Sequence, residues 1–310
     1  MQINQAVDQY LHVKRLSRSE PTYRAYRTAL TAFMGLDDPA GPVDQLTEDP
    51  IAPFADYLKD LSPATERLYL QAVKGFYEYL DSQQLAKINI SRVKSLITLH
   101  ARRPGIRLPQ FPYDDIGRIL AEINKSPIDL ITARDKAFLL TLGDTGLRVH
   151  EACNLRRGDI NWHEGYALVI GKGNKQAVVR FTARALDAIK EYLSMRSTLD
   201  GATGRQVGSL PVFARHDRGA GKQVIQITTT TGRQIVELRV KEILGPASVG
   251  KITPHSFRHY FVTTVLRGSG NLKLAQELAR HSDTQITQRY IHLSNDELDK
   301  GYRDIFERKD

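Results

Sequence analysis

Six side chains suited to phosphate chemistry lie in the C-terminal two thirds of the 310-residue sequence. They comprise two arginines, one lysine, two histidines and one tyrosine: Arg148, Arg258, Lys172, His255, His281 and Tyr290. A phosphodiester attacked by a tyrosine hydroxyl passes through a pentavalent phosphorane that carries extra negative charge. Arginines can bind its non-bridging oxygens, a histidine can donate a further hydrogen bond, and a lysine can protonate the departing 5′ oxygen. Tyrosine suits a covalent step that must later be reversed, because phenolate is itself a good leaving group.

Other phosphate chemistries lack their residues in this sequence. We find no paired carboxylates suited to two-metal catalysis and no Walker-type phosphate loop. The single cysteine, Cys153, excludes an internal disulfide framework and a cysteine-based zinc finger. We therefore expect no cofactor and no metal.

The stretch "ARHSDTQITQRYIHLS", residues 279–294, holds His281 nine residues before Tyr290. On one continuous helix, steps of about 100° would place the two on opposite faces. The cluster Ser282-Asp283-Thr284 is typical of a helix end followed by a new N-cap. Two short helices that meet at a corner would bring both side chains to the same side.

The motif "DTGLRVHEACNL", residues 144–155, predicts a helix that starts after Gly146 and has Arg148 in its first turn. A cation there is unfavourable for the helix unless an anion binds at the same place. Glu151 lies at i+3 and could orient the guanidinium. The alternative is an ordinary surface Arg–Glu pair.

The segment "YALVIGKGNKQAVVRF", residues 166–181, predicts a β-hairpin that turns tightly between Gly171 and Asn174. Lys172 stands between two glycines at the tip, where it could approach a substrate closely. Lys175 is a weaker candidate for the same role. A solvated turn lysine is the alternative.

The segment "TPHSFRHYFVTTVL", residues 253–266, predicts a helix with Thr253 as its cap and Pro254 at its first position. His255, Arg258 and His259 then share one face near the positive helix end. The histidine spacing could bind zinc, but a carboxylate or cysteine partner is missing, so we do not expect a metal. Histidines without a function are the alternative.

The distribution of charge favours a polyanionic partner for the larger C-terminal part. The whole chain has a net charge of +9. Residues 1–100 hold 11 Lys/Arg and 12 Asp/Glu, whereas residues 101–310 hold 33 and 23. The start "MQINQAVDQYLHVKR" has no apolar signal region, and no apolar run could span a bilayer, so we expect a cytoplasmic protein without membrane contact.

The sequence predicts two domains of different character. Residues 1–98 are expected to form an all-helical domain, in which aromatic stripes pack inward behind caps at Ser19 and Ser62. Residues 99–111 contain two prolines and three arginines, and a third proline follows at 112, so they are expected to form an exposed, semi-extended linker. Residues 112–310 are expected to be mainly helical with a small antiparallel sheet. Within them, "VFARHDRGAGKQVIQI", residues 212–227, predicts a glycine-rich loop followed by a strand.

The pieces "TGLRVHE", "GKGNK", "HSFRH" and "ARHSDTQITQRY" follow one another in an order and spacing that resemble the tyrosine recombinases of the λ-integrase and Xer types. The resemblance covers essentially the whole chain and is strongest to the Xer branch or the simple integrases. It implies Arg148 and Arg258 as a phosphate clamp supported by Glu151, and Lys172 as general acid. It further implies His255 as proton-transfer partner, His281 as transition-state donor and Tyr290 as the nucleophile that forms a 3′-phosphotyrosine.

The same resemblance implies a helical core-binding domain and a mixed α+β catalytic domain that clamp duplex DNA. The implied partner is a double-stranded recombination site, with a dimer on each site and a tetramer in synapsis. A second recombinase or an accessory protein is left open. The basic residues expected to contact DNA are Arg102, Arg103, Arg107, Lys175 and Arg280.

Two departures from the family pattern and one terminal feature lead to further expectations. Arg280 stands where the family usually has glycine, which either alters the turn or adds a phosphate contact. The segment 214–227 is longer than the family requires and is either a DNA-contacting hairpin or a neutral insertion. The tail helix expected at 296–310 carries an apolar stripe that packs on its own domain or on a neighbouring protomer.

Two other functions fit parts of the sequence. A type IB topoisomerase-like enzyme would use similar chemistry without strict sequence choice, and a DNA-binding regulator would have lost catalysis. The filled set of six positions argues against the regulator. Whether the biological role is chromosome-dimer resolution, integration of a phage or mobile element, or transposon resolution stays open, as does the DNA target.

Overall fold

The computed structural model describes residues 1–35, 39–102, 112–124, 129–170 and 176–280. The chain divides into two compact units, Met1–Arg107 and Leu108–Asp310, each with its own hydrophobic core. Within the described ranges, no helix combines the length and the apolar character needed to cross a membrane.

The first unit is helical in its described parts. Its helices are α1 (Ile3–Ser17), α2 (Glu20–Met34), α3 (Ile51–Tyr57), α4 (Pro63–Ser82) and α5 (Ile90–His100). In α1 the buried side chains recur at i, i+3, i+4, i+7 and i+8, so one apolar stripe enters the core: Ile3, Ala6, Val7, Tyr10 and Leu11. The Ser62 side chain caps α4 by accepting a hydrogen bond from the Thr65 amide at 3.2 Å, as its position predicts.

Helix α5 continues to His100, two residues into the segment expected to be a linker. Just beyond it, Arg102 pairs with the fully buried carboxylate of Glu66, and its backbone amide donates to the same side chain at 2.7 Å. Most of the expected linker, residues 103–111, lies outside the described residues.

The second unit is built around one helix that is buried along most of its length. Its first helices are α6 (Tyr113–Asn124), α7 (Leu130–Thr145) and α8 (Val149–Asn154). Helix α7 supplies Phe138, Leu139, Leu140 and Leu142 to the core. Its fully buried Asp135 pairs with Arg239 at 2.8 Å, so an ion pair joins this helix to a later helix, α11 (Thr229–Leu244), inside the unit.

A small antiparallel sheet follows, with strands in the order β1 (Ile160–Asn161), β2 (Tyr166–Ile170) and β3 (Gln176–Arg180). Leu168 pairs with Val178 and Ile170 with Gln176, which is the hairpin that the alternating pattern predicts. The turn between β2 and β3 lies outside the described residues.

The remaining helices complete the second unit. They are α9 (Ala183–Met195), α10 (Ser197–Gly201), α11 (Thr229–Leu244), α12 (Pro254–Ser269) and α13 (Leu272–Ala279). Helix α12 begins as predicted, with Thr253 as N-cap, Pro254 in the first turn, and a capping box in which Ser256 accepts from the Thr253 amide at 3.1 Å.

The strand predicted within 212–227 is wrong. The segment 214–227 forms a single isolated bridge between Ala214 and Gln226, and Thr228 then caps α11. Ala214 and Val224 are buried against Leu210, which packs the base of the segment onto its own unit. The expected tail helix, 296–310, lies outside the described residues.

Candidate active site

The turn between α7 and α8 positions the first arginine. Gly146 ends α7 in the left-handed conformation, with φ of 61°, and Leu147 behind it is fully buried. Arg148 is therefore the N-cap of α8, one residue before the first helical turn in which the sequence analysis placed it. At this position the Arg148 guanidinium still lies beside the start of the helix, where an anion is favoured.

Glu151 is the centre of the site. Its carboxylate is fully buried, accepts from the Arg148 amide at 2.9 Å, and pairs with Arg148 Nη1 at 3.0 Å. Arg280 Nη2 lies 3.1 Å from Oε2 of the same carboxylate. Burial raises the pKa of Glu151, but Arg280 and the bonds from Arg148 outweigh it and lower the pKa below its ordinary value. Glu151 is thus a carboxylate at neutral pH, held by two arginines.

Arg258 ties three elements together from α12. Its side chain is buried, and it donates from Nη1 to the Gly146 carbonyl and from Nη2 to the Ala279 carbonyl. Burial, together with the nearby positive charges of Arg148 and Arg280, lowers the pKa of Arg258. A guanidinium has five N–H donors, and within the described residues these two bonds leave three of them unused.

His255 lies on the first turn of the same helix, and its ring meets that of His259 edge-on with 4.3 Å between centroids. Burial lowers the pKa of His255, and Arg258 and Arg148 lower it further. The imidazole is therefore neutral at pH 7 and can accept a proton.

Arg148, His255 and Arg258 line one cavity of about 550 Å³. Two further basic residues line this cavity that were not predicted from the motifs, His150 and Arg233. His150 stands inside the "RVHE" motif, which could have drawn attention to it. Arg233 follows a run of threonines and nothing in the sequence distinguishes it. Glu237 is the one acidic side chain among the described residues that line the cavity. The basic side chains outnumber it, so the cavity suits an anion.

The structure thus brings together Arg148, Glu151, His255 and Arg258, and it adds Arg280 behind them. Six other predicted site residues lie outside the described residues: Arg103, Arg107, Lys172, Lys175, His281 and Tyr290. Arg280 points inward onto Glu151, and Arg102 pairs with Glu66, so neither of these expected DNA contacts has a fully free guanidinium.

Sequence comparison matches residues 110–297 to the phage integrase family. The tyrosine recombinase XerC of Pediococcus pentosaceus is 30% identical over 314 residues, which cover 99% of this chain and 99% of the relative. The tyrosine recombinase XerC of Thermodesulfovibrio yellowstonii is also 30% identical, and the match covers 94% of this chain and 92% of the relative.

Solved structures resemble the chain over most of its length. XerA recombinase is 25% identical with a TM-score of 0.51, and the match covers 99% of this chain and 100% of XerA. XerH bound to palindromic difH in a post-cleavage complex is 22% identical, with a TM-score of 0.71 and coverage of 92% and 80%. A lambda integrase dimer on a COC′ core site is 20% identical, with a TM-score of 0.65 and coverage of 94% and 95%. The last two likenesses concern the fold.

Proposed function

Because the chain belongs to the phage integrase family and is a tyrosine-type site-specific recombinase, we propose that it cuts and rejoins duplex DNA through a covalent bond between Tyr290 and a 3′-phosphate. The family and the fold class predicted from the motifs are confirmed by the family match and by relatives that align over almost the whole chain. The assignment of individual residues to steps of the reaction remains our proposal.

The observation that carries the proposal is the convergence of two guanidinium groups and a neutral imidazole on one cavity. Among the described residues, Arg148 donates one side-chain N–H to Glu151, and Arg258 donates two to backbone carbonyls. Both arginines therefore keep donors for the non-bridging oxygens of a phosphate. These donors are held before the substrate arrives, so they stabilise developing charge without reorganisation.

The proposed cleavage step forms one bond and breaks one. The Tyr290 oxygen attacks phosphorus, its proton passes to the neutral His255, and the bond from phosphorus to the 5′ oxygen breaks. Lys172 gives a proton to that 5′ oxygen, and His281 donates a hydrogen bond to a non-bridging oxygen. The product is a 3′-phosphotyrosine with a free 5′ hydroxyl, and attack by another 5′ hydroxyl reverses the step. Lys172, His281 and Tyr290 enter this scheme through their motifs, since they lie outside the described residues.

The proposed partner is a double-stranded recombination site bound by copies of this chain, two on a site and four in synapsis. The excess of basic residues in 101–310 supports an anionic partner for the second unit. The complexes of XerH with difH and of a lambda integrase dimer with its core site provide precedents for DNA as that partner.

The experiment that tests the proposal identifies the covalent bond itself. Wild type, Tyr290→Phe and the control Tyr69→Phe, which alters a partly buried tyrosine of the first unit, are incubated with duplex DNA and quenched in denaturant. After nuclease and protease digestion, mass spectrometry should find a nucleotide 3′-phosphate on the Tyr290 peptide of wild type and of Tyr69→Phe. A nucleotide attached to another residue, or an adduct that persists in Tyr290→Phe, would overturn the assignment.

A further inference from the structure

Arg280 occupies a backbone conformation that disfavours arginine. It follows the last residue of α13 with φ of 57° and ψ of 45°, in the left-handed region. Among the described residues, Gln84 is the one other non-glycine residue with positive φ. A glycine would adopt this conformation without steric cost, so the stability of the turn does not account for an arginine. Its side chain must therefore be considered.

The Arg280 side chain is buried in the site and does not extend into solvent. It is 12% exposed, and its Nη2 lies 3.1 Å from Glu151 Oε2 and 3.5 Å from the Gly146 carbonyl oxygen. These are the carboxylate that also binds Arg148 and the carbonyl that also binds Arg258. Arg280 thus contacts the anchor of each arginine in the proposed phosphate clamp.

The charges of this cluster do not cancel. Arg148, Arg258 and Arg280 carry three positive charges against the single negative charge of Glu151, so a net charge of +2 lies beside the cavity. A single carboxylate shared between Arg148 and Arg280 neutralises neither completely. Within the described part of the chain, the buried Nε of Arg280 also has no acceptor. An anion brought into the cavity would supply the missing negative charge.

We propose that Arg280 is a positioning residue for DNA cleavage, which acts through Glu151 and the Gly146 carbonyl to hold Arg148 and Arg258 in place for the phosphate. This proposal rests on the proposed function. Through its contact with Glu151, Arg280 also joins the end of α13 to α8. Because Nη2 of Arg280 binds Glu151 and the side chain is largely buried, the proposed role is to hold the two clamp arginines and not to bind the phosphate.

The experiment compares Arg280→Gly and Arg280→Lys with Gln84→Gly as the matched control. Both glycine substitutions remove the steric strain of a side chain at positive φ, but Gln84 belongs to the first unit and Glu151 to the second. The rate of covalent adduct formation is measured in a single turnover at saturating duplex DNA, together with thermal unfolding. We expect Arg280→Gly to slow adduct formation by ~10²-fold, because misplaced catalytic groups reduce the rate by such factors. The melting temperature should stay close to that of wild type, so unfolding would not explain the slower rate. Gln84→Gly should leave the rate unchanged, and Arg280→Lys should restore part of it.

A second readout separates positioning from direct phosphate binding. The readout is the binding constant for duplex DNA, measured at several salt concentrations. Each phosphate that the protein neutralises makes the slope of its logarithm against log salt concentration steeper by about 0.9. We expect Arg280→Gly to keep the wild-type slope. A shallower slope would make Arg280 a phosphate ligand, and an adduct rate equal to wild type would remove it from the reaction; either result overturns the inference. A wild type that forms no Tyr290-dependent adduct would instead overturn the proposed function.

Discussion

At the residue scale, the site depends on one buried carboxylate that organises positive charge. Glu151 takes hydrogen bonds from the backbone and the side chain of Arg148 and an ion pair from Arg280. A buried carboxylate with these partners stays ionised, and it fixes guanidinium groups that would otherwise repel one another. The excess of positive charge is left facing the cavity, where a phosphate can offset it.

The neutral state of His255 leads to a prediction about pH. Its pKa lies below 6.5 because of burial and the two neighbouring arginines, so the proton-accepting form dominates at neutral pH. We expect the single-turnover rate of adduct formation to fall when the pH is lowered from neutral, as the imidazole becomes protonated. Bound phosphate favours the protonated imidazole, so the fall should begin at a higher pH in the DNA complex than in the free enzyme.

The histidine responsible is identified by substitution. His255→Gln should lower the rate at neutral pH and abolish the acid limb, whereas the exposed His163→Gln should leave the profile unchanged. An acid limb that persists in His255→Gln would assign it to another group.

The residue types of the site could be predicted from the sequence, but their connections could not. Two short motifs indicate the chemistry of the site without a structure, and they contain Arg148, Glu151, His255 and Arg258. The inward direction of Arg280 depends on a left-handed backbone turn at the end of α13 and on a carboxylate more than a hundred positions earlier. Neither condition leaves a local pattern.

At the element scale, the turn between α7 and α8 connects the stability of the second unit to the geometry of its site. Gly146 is the left-handed cap of α7, and its carbonyl accepts from Arg258. A Cβ at Gly146 would overlap the ring of Phe261 on α12, closer than any normal contact. This glycine therefore allows α12 to approach the turn.

We predict that Gly146→Ala destabilises the second unit and disturbs Arg258. The positive φ should cost about 1 kcal/mol, and the overlap with Phe261 about 1–3 kcal/mol more. Urea unfolding followed by fluorescence measures the sum. The control Gly204→Ala shares a positive φ of 64° but has nothing within 4 Å, so it reports the backbone cost alone. Equal losses of stability for the two variants would show that the close approach of α12 does not matter.

The segment 214–227 is held to α9 and α10 by a buried polar network, which leads to a second prediction about pH. Tyr192 accepts from Arg196 at 3.0 Å and from the Ala214 amide at 3.2 Å, so its own proton goes to His216 Nε2 at 2.8 Å. Burial lowers the pKa of His216 from 6.5 to about 4, with contributions from Arg134 and Arg196. Asp200 and Asp217 oppose the shift without reversing it.

The sign of the pH effect follows from the proton count. Between pH 6.5 and 4 the unfolded chain binds a proton at His216 and the folded chain does not, so acidification favours unfolding. We expect a loss of about 2 kcal/mol over this window, after allowance for the partial exposure of the ring. Urea unfolding at several pH values measures it. His216→Gln should remove this part of the slope, and His163→Gln should keep it; identical slopes in wild type and His216→Gln would refute the account.

The elements themselves were largely predictable, with one instructive exception. Caps at Ser62 and Thr253 and the alternation in 166–181 are local signals, and the structure has the corresponding helices and hairpin. The strand predicted in 212–227 is absent because contacts of Ala214 and His216 with distant side chains, and the cap of α11 at Thr228, determine the path of this segment. Local propensity does not contain those contacts.

At the scale of the whole molecule, the chain consists of two units that are packed separately. The first unit has a core formed by its own helices, and the second has another that surrounds α7 and supports the site. Basic residues are concentrated in the sequence of the second unit. The domain boundaries predicted at 98 and 112 stay a prediction, as do the dimer and the tetramer on DNA.

The measurement that tests the central claim most directly is covalent capture on DNA from the source organism. Wild type and Tyr290→Phe are incubated with genomic DNA, quenched with denaturant, and the DNA ends attached to protein are sequenced. We predict adducts that depend on Tyr290 and cluster at one or a few sites, which would also provide the DNA target. Tyr290-dependent adducts scattered over the genome would contradict site specificity, and tight DNA binding without any adduct would contradict a strand-cutting enzyme.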